Sequence, residues 1–174
     1  MSSISKRRSL ILASCVLSCA AAGSAVAADT QKVVRLPLAG SDFPILAAVT
    51  VKAGTDTYFL SGALGPTVNK DAPKGSAPTW GDTETQTVAA LNSIKGTLAR
   101  LGLTMGDVIK MTVFLVGDPS KDNKMDFAGM MAGYKQFFGA ADQPNLPTRS
   151  AVQVAALAAP GALVEIEVTA AKSH

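Results

Sequence analysis

Two segments with helical periodicity lie among six segments with strand periodicity, and this order limits the folds open to the chain. Apolar side chains recur at i, i+3 and i+4 from Val88 to Leu101, which predicts a helix that begins at Asp82 or Thr83 and ends before Gly102. A second helix is predicted over residues 126–138. The order β-β-β-α-β-α-β-β predicts an α+β domain, with both helices on one face of a mixed six-stranded sheet.

The predicted strands are short runs with few breaks in their hydrophobic pattern: residues 33–36, 47–51, 57–60, 107–116, 149–157 and 163–170. In the fourth run every odd position from 109 to 115 is apolar, so that face should pack on the helices. The turn-rich residues 52–56 predict a hairpin between the second and third strands. Residues 65–81 read as a long loop.

The period of two also assigns side chains of the last two strands to faces of the sheet. Val152 and Val154 are expected to face the helices, and Arg149 then shares the opposite face with Glu165. Solvent-exposed faces rarely carry apolar residues in series, so an oligomer is expected to cover this one. Its apolar members are Phe59, Phe114 and Val116.

The first 27 residues predict a secretory signal peptide. They contain Lys6, Arg7 and Arg8 without an acidic residue, then an apolar run over residues 10–22, then an A-x-A sequence at residues 25–27. Cleavage there leaves residues 28–174 as a single domain of an exported protein, periplasmic or secreted. Arg7-Arg8 could instead belong to a twin-arginine signal. Cleavage at Cys15 or Cys19 would give a lipoprotein, which is the one case in which a membrane association is expected.

Removing the predicted leader changes the chemistry that the chain can offer. The net charge of +3 falls to zero, with 13 basic and 13 acidic residues left, so the electrostatic footprint of a nucleic-acid binder is missing. Both cysteines leave with the leader, and the one histidine is the last residue, His174. A Ser-His-Asp triad, a thiolate nucleophile and a metal site are therefore not expected, and no cofactor is predicted.

Four polar residues remain as candidates for chemistry. Arg149 offers a fixed fork for a carboxylate, and Glu165 or Glu167 could position or deprotonate a water, with Ser61 nearby. The alternative is structural, in which Arg149 and a glutamate simply pair across neighbouring strands.

A family resemblance is carried by the C-terminal part of the chain. Residues 147–157, PTRSAVQVAAL, and residues 164–168, VEIEV, resemble the C-terminal signature of the RidA (YjgF) family. Segments 59–62, 85–102, 107–115 and 134–138 match in the same order, and the resemblance covers about residues 43–171.

This resemblance implies a chorismate-mutase-like fold and a homotrimer whose sheets line a barrel, with clefts between subunits. It implies cofactor-free hydrolysis of reactive 2-imino and enamine acids to 2-oxo acids and ammonia. In that scheme Arg149 holds the substrate carboxylate and Glu165 helps to position the attacking water. Ser61 matches a serine of the cleft.

Three polar positions of the family's cleft are apolar or small in this chain. A tyrosine is replaced by Ile45, an asparagine by Met131 and a cysteine by Ala151. A cleft lined in this way should suit a bulkier and less polar substrate. A non-catalytic trimer that binds a small carboxylate or a protein partner is the alternative that these replacements leave open. Ribonuclease activity is disfavoured by the neutral charge that remains after removal of the leader.

Overall fold

A computed structural model of the chain describes residues 32–68 and 79–173. The predicted signal peptide, the cysteines that could carry lipid and part of the long loop lie outside this range. The described elements are β1 (Val33–Pro37), β2 (Leu46–Val51), β3 (Thr55–Ala63), α1 (Thr83–Arg100), β4 (Val108–Val116), α2 (Phe127–Tyr134), β5 (Thr148–Val154) and β6 (Val164–Ser173). Their order is the predicted one, and the α+β fold class is confirmed.

The six strands divide into a four-stranded sheet, in the order β3-β6-β4-β5, and a separate β1-β2 pair. The larger sheet is mixed, because β4 and β5 run parallel whereas β6 is antiparallel to both β3 and β4. The N–H of Leu46 donates to the carbonyl of Pro147 at 3.0 Å, which ties the start of β2 to the start of β5.

The predicted hairpin between the second and third strands is wrong. Gly54 does reverse the chain, with φ at +76°, but β2 pairs with β1 and β3 pairs with β6. The hydrogen-bonding groups of β2 are used by β1 along one edge and by Pro147 at its start. A turn signal therefore located the reversal correctly without determining which strands pair.

Helix α1 begins and ends where its capping residues predict. The carboxylate of Asp82 accepts a hydrogen bond from the N–H of Thr85 at 2.8 Å, and Gly102 follows the last turn with φ at +71°. Its apolar side packs on the sheet, where Leu91 and Leu98 are fully buried. Each buried leucine contributes roughly 1.5–3 kcal/mol relative to exposure.

Helix α2 is shorter than the prediction of residues 126–138. It starts after Asp126, whose carboxylate accepts from the N–H of Gly129 at 3.0 Å, and it ends at Tyr134. The chain continues in turns, yet Phe138 is still buried and stacks on Tyr134 with ring centroids 4.9 Å apart. The apolar pattern thus marked burial correctly beyond the point at which the helix ends.

The hydrophobic core lies between the helices and one face of the larger sheet. The predicted alternation in β4 is confirmed, since its odd positions from Ile109 to Leu115 are all buried. Val164, Ile166 and Val168 of β6 join them. No helix in the described ranges is long and apolar enough to cross a membrane.

The sequence assigned the side chains of β5 to the wrong faces of the sheet. The residues predicted to face the helices lie on the other face, and the reverse. Arg149 is in register with the buried Met111, so its side chain lies on the helix-covered face. Val152 is in register with Phe114 on the other face and is 43% exposed. The apolar character of Val152 suggested the core, but strand pairing places it on the uncovered side.

No described element of the chain covers the other face of the larger sheet, which is called the open face below. Phe59 is 83% exposed there, next to Thr169 in the adjacent strand. Glu165 and Glu167 belong to this face because they are in register with Phe114 and Thr112. Phe59, Phe114 and Val116, the apolar residues from which an oligomer is expected, belong to this face, and Val152 joins them.

Candidate functional site

Arg149 of β5 lies half-buried against α2, with no counter-ion among the residues that the structure describes. Its Nη2 donates to the Sδ of Met131 at 3.1 Å, and a thioether is only a weak acceptor. Its Nη1 is buried and donates no hydrogen bond to any described residue. Within residues 32–68 and 79–173, no carboxylate forms an ion pair with it. The structural alternative, an Arg–Glu pair across strands, is therefore not what this chain forms.

Three aromatic rings surround the guanidinium of Arg149. The ring centroid of Tyr134 is 4.3 Å from Cζ, that of Phe43 is 5.5 Å away and that of Phe127 is 5.9 Å away. Ring faces attract a cation, and more strongly when the cation is desolvated. The rings and the thioether of Met131 hold the cation in place without neutralising it, and we call these four residues the arginine cage.

Burial sets the protonation states inside the arginine cage. Desolvation lowers the pKa of Arg149, although the neighbouring Tyr134 opposes that shift. Desolvation also raises the pKa of Tyr134 well above its ordinary value of 10, so the phenol stays neutral. Its hydroxyl donates to the carbonyl of Pro44 at 2.8 Å. The cage thus presents one positive charge and no negative charge.

The spacing of residues on α2 explains how the cage forms. Phe127, Met131 and Tyr134 stand at i, i+4 and i+7, so they share one side of the helix. The same helix also contributes to the core through Met130, which is fully buried. The shared side supplies three of the four residues that surround Arg149.

Two other predicted site residues belong to the two segments that supply Phe43 and Arg149. Ile45 is half-buried, immediately before β2, where its N–H donates to the carbonyl of Phe43 at 2.7 Å. Ala151 is two residues after Arg149 on the same face of β5 and packs against the core. Neither side chain offers a hydrogen bond, so the surroundings of Arg149 are apolar.

Glu165 and Ser61 lie in a different part of the subunit. The ladder between β3 and β6 is irregular between Leu60 and Ala63, and Ser61 is exposed within that irregularity. The carboxylate of Glu165 rests against Gly62, where a Cβ would overlap it. Ser61 and Gly62 line a cavity of about 530 Å³ that also includes Phe59 and Leu101.

One subunit therefore does not bring Arg149 and Glu165 together. Arg149 is in register with Met111, whereas Glu165 is in register with Phe114, three positions further along the same strand. Positions separated by an odd number point to opposite faces of a sheet. The shared face that the sequence predicted for these two residues is wrong for this reason.

Sequence reasoning missed four residues that shape these two regions: Phe43, Phe127, Tyr134 and Gly62. The helical spacing of Phe127 and Tyr134 was visible, but an apolar stripe does not reveal that one of its neighbours is a cation. Gly62 carried no signal, because its role depends on the opposite strand. In the described residues, no group of three or more His, Cys, Asp or Glu side chains could hold a metal ion.

Comparison with known proteins identifies relatives over most of the described chain. The sequence model of the family described as Endoribonuclease L-PSP matches residues 45–172. A RutC family protein from Pyrococcus horikoshii is 39% identical over 122 residues, which cover 70% of this chain and 83% of that protein. An Escherichia coli protein, named as a candidate reactive intermediate deaminase, TdcF, is 41% identical over 92 residues. That alignment covers 53% of this chain, and the chain spans 65% of the length of TdcF.

Solved structures share the fold. A Rid family protein of unknown function from Yersinia pestis superposes with a TM-score of 0.61 at 23% identity, over 82% of this chain and all of that one. The structure of E. coli TdcF with bound serine gives a TM-score of 0.52 at 35% identity, over 80% of this chain and 94% of that one. The likeness in fold thus extends to a protein solved with a small amino acid bound.

Proposed function

The chain belongs to the RidA (YjgF) family, and we propose that it hydrolyses reactive 2-imino and enamine acids to 2-oxo acids and ammonia without a cofactor. Two comparisons support this proposal. A relative at 41% identity is named for the deamination of reactive intermediates, and the same protein was solved with serine bound. The proposal does not depend on a histidine or cysteine, neither of which occurs in residues 28–173.

The observation that carries the proposal is the buried Nη1 of Arg149, which has no hydrogen-bond partner among the described residues. Leaving a buried charged donor unpaired costs on the order of 1–3 kcal/mol or more. A carboxylate ligand would accept from it in a charge-assisted hydrogen bond and would neutralise the cation. The arginine cage holds the guanidinium ready for such a ligand.

The proposed reaction needs only water and proton transfers. Water attacks the imine carbon of the bound 2-imino acid and gives up a proton, while the C=N pair of electrons moves to nitrogen, which takes up a proton. The hydroxyl proton of the resulting adduct is then transferred to the amino group, the carbon–nitrogen bond breaks, ammonia leaves, and a carbonyl forms. Glu165 is the proposed group that orients the water and accepts its proton. An enamine first takes a proton at C3 to become the imine.

We propose that a second copy of the chain completes the cleft, because Arg149 and Glu165 lie on opposite faces of one sheet. A homotrimer, in which Arg149 of one subunit meets Ser61 and Glu165 of the next, would bring them together. The exposed Phe59 on the open face supports burial of that face against other subunits. In the proposed setting this assembly acts outside the cytoplasm, after removal of residues 1–27.

The test is ammonia release by purified residues 28–174 from 2-imino acids generated in place by an amino-acid oxidase. Arg149→Ala should lower the rate of imine hydrolysis by about 10²–10³, the effect of losing one fixed charge-assisted contact. Arg100→Ala is the matched control, since Arg100 is exposed at the end of α1 and should keep the wild-type rate. Equal rates for Arg149→Ala and Arg100→Ala would reject the mechanism.

The second candidate is a non-catalytic module that binds a small carboxylate or a protein. The apolar surroundings of Arg149, made by Ile45, Met131 and Ala151, favour it because they offer no group to handle protons. Under this alternative, a carboxylate such as propionate raises the melting temperature of the wild type, without any turnover of imines. A panel of carboxylates that gives no shift would count against this candidate and exclude its carboxylate-binding form.

A further inference from the structure

Phe43 and Phe127 form a flat apolar surface next to the guanidinium of Arg149. Their ring centroids are 6.4 Å apart and the ring planes differ by 11°, so the rings stack. The two rings are 39% and 37% exposed. Large aromatic side chains usually bury most of their surface in a folded protein. A pair of stacked rings that stays exposed therefore indicates a surface suited to contact with a ligand.

Both rings are held in place by contacts of their own segments. Phe43 precedes Pro44, whose carbonyl accepts the hydrogen bond from Tyr134. Phe127 is the first residue of α2, directly after the capping Asp126, which also pairs with Lys121 at 3.6 Å. The surface is therefore ordered before any ligand arrives, and little ordering cost opposes binding to it.

We propose that Phe43 and Phe127 select the side chain of the substrate, favouring 2-imino acids with an aromatic or long apolar side chain over those with a methyl group. This inference rests on the proposed function, because it assumes that Arg149 holds the carboxylate. The substituent of the neighbouring carbon then lies within a few ångströms of Arg149, where the two rings stand 5.5 and 5.9 Å from Cζ. A phenyl or isobutyl group would cover ring surface that a methyl group leaves in water.

The expected size of the preference is modest because the rings form a wall and not a closed pocket. Closed apolar pockets discriminate one methylene by roughly 10–200-fold. The half-exposed pair should prefer the phenylalanine-derived imine over the alanine-derived imine by about tenfold in kcat/KM, at the lower end of that range.

The experiment compares wild type, Phe43→Ala and Val51→Ala with imines made by an oxidase from phenylalanine and from alanine. Val51 is 36% exposed at the far end of β2, which makes Val51→Ala the control for loss of an exposed apolar side chain. Phe43→Ala should reduce the tenfold preference to about twofold or less, while Val51→Ala keeps it. Equal efficiencies on both imines in the wild type, or an unchanged preference in Phe43→Ala, would overturn the inference while hydrolysis itself stands.

A binding measurement separates this inference from the proposed function. The melting temperature is recorded with 3-phenylpropionate and with propionate, neither of which can be hydrolysed. A larger shift with 3-phenylpropionate that disappears in Phe43→Ala supports the inference even if no imine is turned over. Equal shifts with the two acids, or a difference that survives in Phe43→Ala, overturn it. Phe127→Ala serves as a second variant if circular dichroism finds it folded.

Discussion

The two faces of the larger sheet both carry aromatic side chains and one proposed catalytic charge, but they surround that charge differently. On the helix-covered face, three aromatic rings and a methionine surround the half-buried Arg149. On the open face, Phe59 projects into solvent and Glu165 rests on a glycine, without a cation beside it in the described chain. The first face is complete within one subunit, whereas the second has features of a surface that another chain covers. The proposed catalytic pair is split between them.

This difference shows that one chain can fold completely while its two proposed catalytic residues remain apart. A cage of rings can hold an unpaired arginine because cation–ring attraction and packing compensate for part of its desolvation. A carboxylate on the open face has no such need, since water can solvate it. The proposed assembly would bring the prepared cation of one subunit to the prepared carboxylate of the next.

The largest expected effect comes from mixing two inactive variants. Arg149→Ala and Glu165→Gln should each lose about 10²–10³ in rate when made alone. Co-expressed in equal amounts, they should form mixed trimers that recover about a third of the wild-type rate, since one of the three clefts in each mixed trimer combines the intact Arg149 of one subunit with the intact Glu165 of the next. The rate of imine hydrolysis by the isolated mixed oligomer is the measurement. No recovery in a verified mixed oligomer would place both groups of a site in one subunit and contradict the split.

The next effect concerns Gly62, which leaves room for the carboxylate of Glu165. The nearest atoms to a Cβ built at Gly62 all belong to Glu165, the flexible side chain that would have to move. Gly62→Ala should therefore fold normally but slow hydrolysis by up to about 10²-fold, because the carboxylate is displaced from the water.

A double-variant comparison identifies the cause of that loss. If Gly62 acts through Glu165, then Gly62→Ala should add little to the loss already caused by Glu165→Gln. Gly96→Ala is the matched control, because a Cβ at Gly96 meets nothing within 4 Å. A full additional loss in the Glu165→Gln background would mean that Gly62 serves the reaction in another way.

A smaller effect, on stability, is expected from a substitution of Gly133 in α2. A Cβ at Gly133 would press on Thr87 and on the carbonyl of Glu84 in α1, so the two helices would have to separate. Gly133→Ala should lower the free energy of unfolding by about 1–3 kcal/mol, the typical result of overpacking. Denaturant unfolding measures this change. Gly96→Ala should instead raise stability, by up to about 1 kcal/mol, and the same sign for both variants would refute the close approach.

The smallest effect is a dependence of stability on alkaline pH. The pKa of Tyr134 is raised in the folded state, so the unfolded chain loses this proton first as the pH rises above about 10. The contribution of Tyr134 to stability is complete below that pH. It then declines, at most by about 1.4 kcal/mol per pH unit. The wild type should lose stability more steeply than Tyr134→Phe above pH 10, and parallel curves would contradict a buried neutral phenol.

Much of the fold could be predicted because local chemistry determined it. Asp82 and Gly102 marked the ends of α1 by capping, and alternation in β4 identified its buried positions. Strand pairing could not be predicted in the same way, because it depends on partners far along the chain. The β5 faces were exchanged for this reason: Val152 resembles a core residue, but the register with Phe114 decides where it lies.

The candidate site was predictable in its residue types and not in its geometry. The resemblance around Arg149 pointed to a carboxylate-binding arginine, which stays a prediction, and the structure brings Met131 into contact with that arginine. The rings of Phe43 and Phe127 could not be assigned to the site, since exposed and buried aromatic residues look alike in a sequence. Glu165 and Arg149 are separated because their strands pair with β4 in particular registers. The sequence of one strand does not show how it aligns with its neighbour.

The hydrogen bond between Tyr134 and Pro44 joins groups that are 90 residues apart in the chain. Closing so long a loop carries an entropic cost, and contacts of this kind generally form after the local ones. The arginine cage is therefore expected to assemble late in folding and to open early in unfolding. A carboxylate that binds the completed cage should then prolong the lifetime of the native state and leave the rate of folding nearly unchanged.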